Sequence, residues 1–273
     1  MATVEWNLKQ WCLYDWDYRG DEWSAGWGSV EMQWYGSILP RIQRFLPVEA
    51  ILEIAPGFGR WTQFLKEHCQ SLIAVDLAEK CIEGCRERFR EHEHLKFYVN
   101  DGKSLAMVPD NSVDLVFSFD SLVHADPSVM KAYISQFPRI LTRNGVAFLH
   151  HSNYGSYPIY QKIRGVRILG AALAHLGILV LNQGWRDGKM TADQLVLFAE
   201  EQGLKCMSQE LINWGARGVL NDCLSVIVRS NSPLARSNRV LRNNSFGSEV
   251  RYLRKLAPLY TKQLDRKPDI KVG

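Results

Sequence analysis

Glu53, Asp76 and Asp101, together with Gly57 and Gly59, have the types and spacing of residues that hold a nucleoside. The run Ile51-Leu52-Glu53-Ile54-Ala55-Pro56-Gly57-Phe58-Gly59-Arg60-Trp61-Thr62 reads as an apolar strand, a tight turn and the start of a helix. Without a Cβ, Gly57 and Gly59 let the chain bend sharply and bring main-chain N–H groups against a ligand. Asp76 ends the next apolar run, 23 residues after Glu53, a spacing that in a βαβ unit sets a carboxylate beside ribose hydroxyls. The pattern is E-x-A-x-G-x-G, not the G-x-G-x-x-G that cradles a pyrophosphate. Glu53 adds negative charge at the turn, which suits a nucleoside carrying an ammonium and a sulfonium better than a dinucleotide. A second chemistry, proton transfer near neutral pH, is within reach of His124, His150 and His151.

These residues need strands to carry them. Short apolar runs near 50–55, 71–76, 95–99, 113–119 and 145–151 alternate with helical stretches near 58–69, 78–91 and 127–142. The last stretch opens at Asp126-Pro127, an N-cap and first-turn pair. A helix over 36–46 precedes them and stops at Pro47. Residues 154–190 interrupt the alternation as a Gly- and Tyr-bearing insertion, whose apolar stretch Val166 to Leu181 is read as a buried or lid helix. A helix from Thr191 to about Gln202 and strands near 204–213 and 222–229 finish the pattern, and residues from 231 onward read as loop and short helix. The expected class is α/β, a doubly wound, mostly parallel sheet with helices on both faces. Its organisation is an aromatic N-terminal cap and first helix over 1–47, a cofactor-binding catalytic domain over 48–230 with a lid insertion at 154–190, and a basic C-terminal extension over 231–273. Glu53, Asp76, Asp101, Asp120 and His151 all fall at carboxyl ends of strands, where such sheets bind ligands.

From about Ile51 to Asn153 the chain resembles class I S-adenosylmethionine-dependent methyltransferases. Glu53 to Gly59 matches the acid-G-x-G-x-G motif of that family, with Ala55 in place of its first glycine, and Asp76 matches the ribose-binding acid. Asn100-Asp101-Gly102 matches the segment whose acid meets the adenine amino group. Val113 to Asp120 matches the fourth strand and the start of the active-site loop. The resemblance implies a seven-stranded sheet with an antiparallel last strand, and S-adenosyl-L-methionine as cofactor. It implies contacts to that cofactor at Glu53, Ala55, Gly57, Gly59, Asp76, Leu77, Asp101, Gly102 and Ser118. Methyl transfer from a sulfonium is an in-line displacement, so aligning donor and acceptor is the main task; a hydroxyl acceptor also calls for a base. His124, in the loop after the fourth strand, and His151, at the end of the fifth, are the candidates. His150 would then point into packing or toward substrate, since neighbours alternate along a strand. Asp120 could orient a histidine, hold a hydroxyl or, with Asp222, ligate Mg2+ as a template for a diol.

The acceptor is suggested by aromatic residues. Trp6, Trp11, Trp16, Trp23, Trp27 and Trp34 crowd the first 35 residues, and Trp185-Arg186 adds a plate flanked by a donor. Sugars fit aromatic plates edged with polar groups, so Trp23, Trp27, His150, Asn153, Trp185 and Arg186 are candidate acceptor contacts. Taken over most of the chain, the pattern resembles bacterial methyltransferases linked to polysaccharide and glycoside modification. The expected function is O-methylation of a small-molecule sugar or oligosaccharide. Alternatives are a lipid or aromatic natural product as acceptor, a dinucleotide-dependent oxidoreductase, or a binding domain without catalysis.

The chain of 273 residues carries a net charge of +4. From Arg229 to the end, 11 basic residues stand against three acidic ones, which reads as a solvated tail or an anion-binding one. The body has no basic groove, so no nucleic-acid substrate is expected. No apolar leader or spanning segment is read, and six cysteines without a C-x-x-C pair suit free thiols in a reducing, cytoplasmic setting. The aromatic N-terminus could pack on its own pocket or on a second subunit, which leaves a homodimer open.

Overall fold

A computed structural model describes residues 3–165, 185–214 and 218–261. The apolar stretch 166–181 and the basic tail beyond 261 lie outside these residues. An eight-stranded sheet runs through the protein in the order β3-β2-β1-β4-β5-β7-β6-β8. Its strands are β1 (Val48–Ile54), β2 (Cys69–Asp76), β3 (Leu95–Val99), β4 (Val113–Ser118), β5 (Leu141–Ser152), β6 (Leu204–Ile212), β7 (Asp222–Arg229) and β8 (Arg239–Asn243). Strands β1 to β5 are mutually parallel, and β7 runs antiparallel to both β5 and β6. The doubly wound α/β expectation holds, with one strand more than seven. Beyond residue 230, where loop and short helix are expected, β8 pairs parallel with β6. Its side chains are mostly exposed, so the apolar alternation that marks a strand in sequence is missing; backbone pairing at the sheet edge makes it a strand.

The principal helices are α1 (Val4–Leu13), α2 (Glu79–Arg88), α3 (Pro127–Ile134), α4 (Pro158–Gly165), α5 (Ala192–Glu201) and α6 (Phe246–Tyr260). Helix α1 has no sequence period because of its residues only Asn7 is buried; Thr3 caps it by accepting from the Trp6 N–H at 3.1 Å. Asp126 caps α3 by accepting from Ser128 and Val129 N–H, and α5 opens on a Thr191/Gln194 capping box.

Two apolar clusters cover the two faces of the sheet. In the first, Trp34 is fully buried and stacks on Phe64 at 5.1 Å; a buried ring of that size contributes about 2–3 kcal/mol. Arg41 joins the N-terminal helical run to the far side of the fold, pairing with Glu210 on β6 at 2.8 Å and Glu249 on α6 at 2.9 Å. Helix α6 packs so closely that a Cβ on Gly28 would lie 2.3 Å from Ala257 Cβ. Among the described residues no helix is long and apolar enough to cross a membrane.

The chain winds from β1 outward through β2 and β3, then returns to place β4 on the other side of β1. A crevice opens at the strand ends where the direction of winding reverses, and ligands bind there in open α/β sheets.

Candidate functional site

The floor of that crevice is the turn after β1. Ala55 and Gly57 both sit at φ 58°, and Gly59 at 81°. Two serine hydroxyls brace the turn from beneath: Ser118 donates to Ile54 O and Ser121 to Ala55 O, each at 2.9 Å. Asp76 closes its open side, accepting from Gly57 N–H at 3.1 Å and Ala78 N–H at 2.9 Å. Burial raises the Asp76 pKa to about 6, with the Ala78, Gly57 and Leu77 amides pulling the other way.

Glu53 is not on the ligand side of the turn. It is 1% exposed and accepts from Thr62 Oγ1 at 2.5 Å, and its other oxygen has no partner. Burial raises its pKa to about 8, so at neutral pH it is protonated and presents no charge.

A cavity with roughly 880 Å3 of space, counting its open mouth, lies above the turn. Asp76, Leu77, Ala55, Gly57 and Gly102 line one side; Asp120, Ser121 and His124 line another. Trp11, Trp16 and Trp23 form a wall contributed by the N-terminal segment. Trp16 stacks on Phe58 at 4.7 Å with an interplanar angle of 3° and lies over Gly57. Trp23 donates to Tyr14 at 2.8 Å, and Tyr14 in turn to Glu22 at 2.6 Å, which fixes the wall's orientation. Arg60, 3% exposed, lies over the rings of Trp61 (4.3 Å) and Trp23 (5.3 Å) and binds Asp120 at 2.9 Å.

Asp120 itself is held at φ 68°, an uncommon conformation for a residue with a Cβ. Its N–H donates to His150 Nδ1 at 3.0 Å. Burial acts to raise its pKa, and the Arg60 and Arg186 guanidiniums outweigh burial and hold it below the usual value. Since His150 Nδ1 accepts, its proton sits on Nε2 and points to Asp222 Oδ2 at 3.2 Å. Asp222 also takes two bonds from Arg186, at 2.6 and 2.7 Å, and one from Trp214 Nε1. Its carboxyl is held well below the ordinary range: burial opposes ionisation, and Arg186 and His150 overcome it. Next to Arg186, the carbonyl of Trp185 lies 3.3 Å from His124 Nδ1. Burial lowers the His124 pKa to about 4.

The sequence candidates therefore divide. Ala55, Gly57, Asp76, Leu77, Gly102, Asp120, Trp23 and His124 line one cavity. Several do not. Asp101 is exposed, lies off the cavity wall and accepts with Oδ1 from the Lys103 and Ser104 N–H groups, at 2.9 and 2.6 Å. Gly59 and Ser118 support the turn from below. Trp27 belongs to the core, packed on Trp214 and Phe246. His150 and His151 are both fully buried. His151 bonds Ser152 O at 2.9 Å and Ser225 Oγ at 2.8 Å, so neither member of the pair faces the crevice. Asn153 joins Leu220, Ser156 and Ala192 as a structural brace. Arg186 belongs to Asp222, while Trp185, 39% exposed, lies 5.4 Å from Trp6 and 6.0 Å from Trp11.

The metal expectation is not supported. Among the described residues no three His, Cys, Asp or Glu gather as a metal site, and Asp222 already receives a guanidinium that would repel a cation. All six cysteines are free. Sequence reasoning missed Asn7, Arg60, Trp11, Trp16, Trp61, Phe119 and Tyr133 on the cavity wall. Arg60 and Trp61, directly after the glycine turn, were the most legible of these.

Residues 51–145 match the family model described as a methyltransferase domain. Phosphoethanolamine N-methyltransferase 1 of Caenorhabditis elegans is 28% identical over 37% of this chain and 21% of its own length. Nodulation protein S of Rhizobium tropici is 25% identical over 36% of this chain and 41% of its own. The chain thus spans about a fifth and two fifths of these curated relatives. A solved S-adenosylmethionine-dependent methyltransferase from Leishmania major superposes with a TM-score of 0.52, at 11% identity over 82% of each chain, a likeness of fold.

Proposed function

We propose that this chain, whose residues 51–145 match a methyltransferase domain, is a class I S-adenosylmethionine-dependent enzyme that methylates a hydroxyl of a sugar or oligosaccharide with His124 as the base. The residues fit the cofactor: the left-handed turn at Gly57 and the Asp76 carboxylate share a cavity wall with Leu77 and Gly102. Asn7 adds a buried oxygen that lacks a partner and belongs to a residue lining the same cavity. Bound there, S-adenosylmethionine would supply a methyl group activated by its sulfonium.

The observation that carries the reading is the setting of His124. Its Nδ1 faces a carbonyl oxygen, which can only accept, so Nδ1 carries the hydrogen and Nε2 keeps its lone pair. With a pKa of about 4 the ring is neutral near pH 7. A base so weak still suffices, because a hydroxyl oxygen becomes strongly acidic as its bond to carbon forms. Trp11 lies 5.4 Å from the His124 ring and offers an apolar plate in the cavity that Asp120 and Ser121 line, with Trp185 packed 6.0 Å from it. That combination suits the C–H face and hydroxyl rim of a sugar.

A panel of sugars and oligosaccharides with isotope-labelled donor tests the reading. His124→Ala should lower turnover by about 100-fold or more and leave S-adenosylhomocysteine affinity unchanged. Normal turnover in that variant would remove the base. Methylation of lipids or phenols but no sugar would remove the acceptor class. An amine acceptor is the second reading, favoured by the same aromatic wall, which can hold a cation, and by the N-methyltransferase among the relatives; it would show as amine methylation that survives His124→Ala.

A further inference from the structure

Asp222 lies outside the cavity, yet its hydrogen bonds run to both ends of the loop that carries Asp120 and His124. One arm goes through His150: Asp222 Oδ2 accepts from Nε2 at 3.2 Å, and Nδ1 accepts the Asp120 N–H at 3.0 Å. This arm braces the residue that sits at φ 68°. The other arm goes through Arg186, whose two bonds to Asp222 at 2.6 and 2.7 Å fix the backbone of residues 185–187. In that segment Trp185 O meets His124 Nδ1, and Asp187 N–H donates to Val123 O at 2.9 Å. Asp222 is fully buried, and a bidentate guanidinium–carboxylate pair defines orientation as well as proximity. We propose that Asp222 is a positioning residue: through Arg186 and Trp185 it sets the tautomer of His124, and through His150 it holds the backbone of Asp120.

The inference deepens the reading of His124 as the base and rests on it for its catalytic meaning; the geometry it describes can be tested without an acceptor. The charges facing His124 are Arg186, which lowers its pKa, and Asp120 and Asp222, which raise it. The tautomer separates positioning from simple electrostatics, since charge alone would leave the hydrogen on Nδ1. If Asp222 acted only by its charge, Asp222→Asn would push the His124 titration lower still. If Asp222 positions the segment, the same change frees Arg186 and the Trp185 carbonyl. His124 then loses the Trp185 carbonyl, whose bond raises its pKa, and with it its single tautomer.

The experiment is nitrogen-15 NMR of the full chain with labelled histidine, titrated over pH and assigned with His124→Ala. The wild type should show His124 with hydrogen on Nδ1 and His150 with hydrogen on Nε2. Asp222→Asn and Arg186→Met should both mix the His124 tautomers. The double variant, which leaves no unpaired buried charge, should do the same and guards against misfolding of the single ones. S-adenosylhomocysteine affinity within about twofold of wild type would show that the cofactor side is intact. A His124 tautomer kept on Nδ1, in Asp222→Asn and in the double variant, overturns the inference. Normal methylation by His124→Ala would instead overturn the base reading while leaving these spectra as they are.

Discussion

Gly57 is a position in the cavity floor where a single methyl group should be felt. It lies at φ 58°, and a Cβ built there would come within 2.8 Å of Trp16 Cη2. In Gly57→Ala two costs add. The left-handed conformation costs a residue with a Cβ about 1–2 kcal/mol. Trp16 must also withdraw by several tenths of an ångström, which weakens its stacking on Phe58, an interaction worth about 1 kcal/mol. The expected loss is about 2–3 kcal/mol of folding stability, measured by urea denaturation. S-adenosylhomocysteine affinity, measured by calorimetry, should fall because the turn and its aromatic wall move together. Trp16→Ala separates the terms: with the ring gone, the same glycine substitution should cost only the backbone part, about 1–2 kcal/mol. An equal cost with and without Trp16 would refute the idea that the ring rests on the glycine corner.

Glu53 should make stability depend on alkaline pH. Its folded pKa of about 8 lies above the ordinary 4.5, so its contribution is fully present below about pH 4.5 and is lost as pH rises through 8, by roughly a few kcal/mol. Glu53→Gln, which keeps an acceptor for Thr62, should flatten the change in urea midpoint between pH 6 and pH 9; a pH dependence identical to wild type would contradict the buried acid. Asp76→Ala should weaken S-adenosylhomocysteine binding by about 10- to 100-fold, the range for hydrogen bonds to a charged group. In the wild type the affinity should decline as pH falls through about 6, where Asp76 takes up a proton. Unaltered calorimetric affinity in Asp76→Ala would place the ribose elsewhere.

Much of the frame is written in local pattern. Strand, glycine turn and helix follow one another over Ile51 to Thr62, and the apolar runs mark β1 to β5 because parallel strands covered on both faces read as continuous hydrophobic segments. Boundaries suffered where one element runs directly into another: the helical stretch expected over 127–142 is α3, a short turn at Phe137–Ile140 and then the start of β5. Asp101 has the type and place of a ligand-binding acid, but it lies off the cavity wall and one of its oxygens caps the N–H groups of its own turn, a local bond that short polar side chains often make. Trp27 looked like Trp23 in sequence. It is core because Trp214 and Phe246, far along the chain, come to meet it.

The histidines show the boundary most clearly. That His124 would stand on the loop after β4, and that His150 and His151 would end β5, follows from chain order and strand period alone. Which of them meets the cavity does not. The return of the insertion covers the end of β5, with Ser152 Oγ donating to Asp187 O at 2.7 Å, and Asp222 arrives from 72 residues away to claim His150. Periodicity reports the direction of a strand and the alternation of its faces, because those depend on neighbours in the chain. Exposure, tautomer and charge depend on what packs against each face, and those partners are brought in only when distant segments close the core.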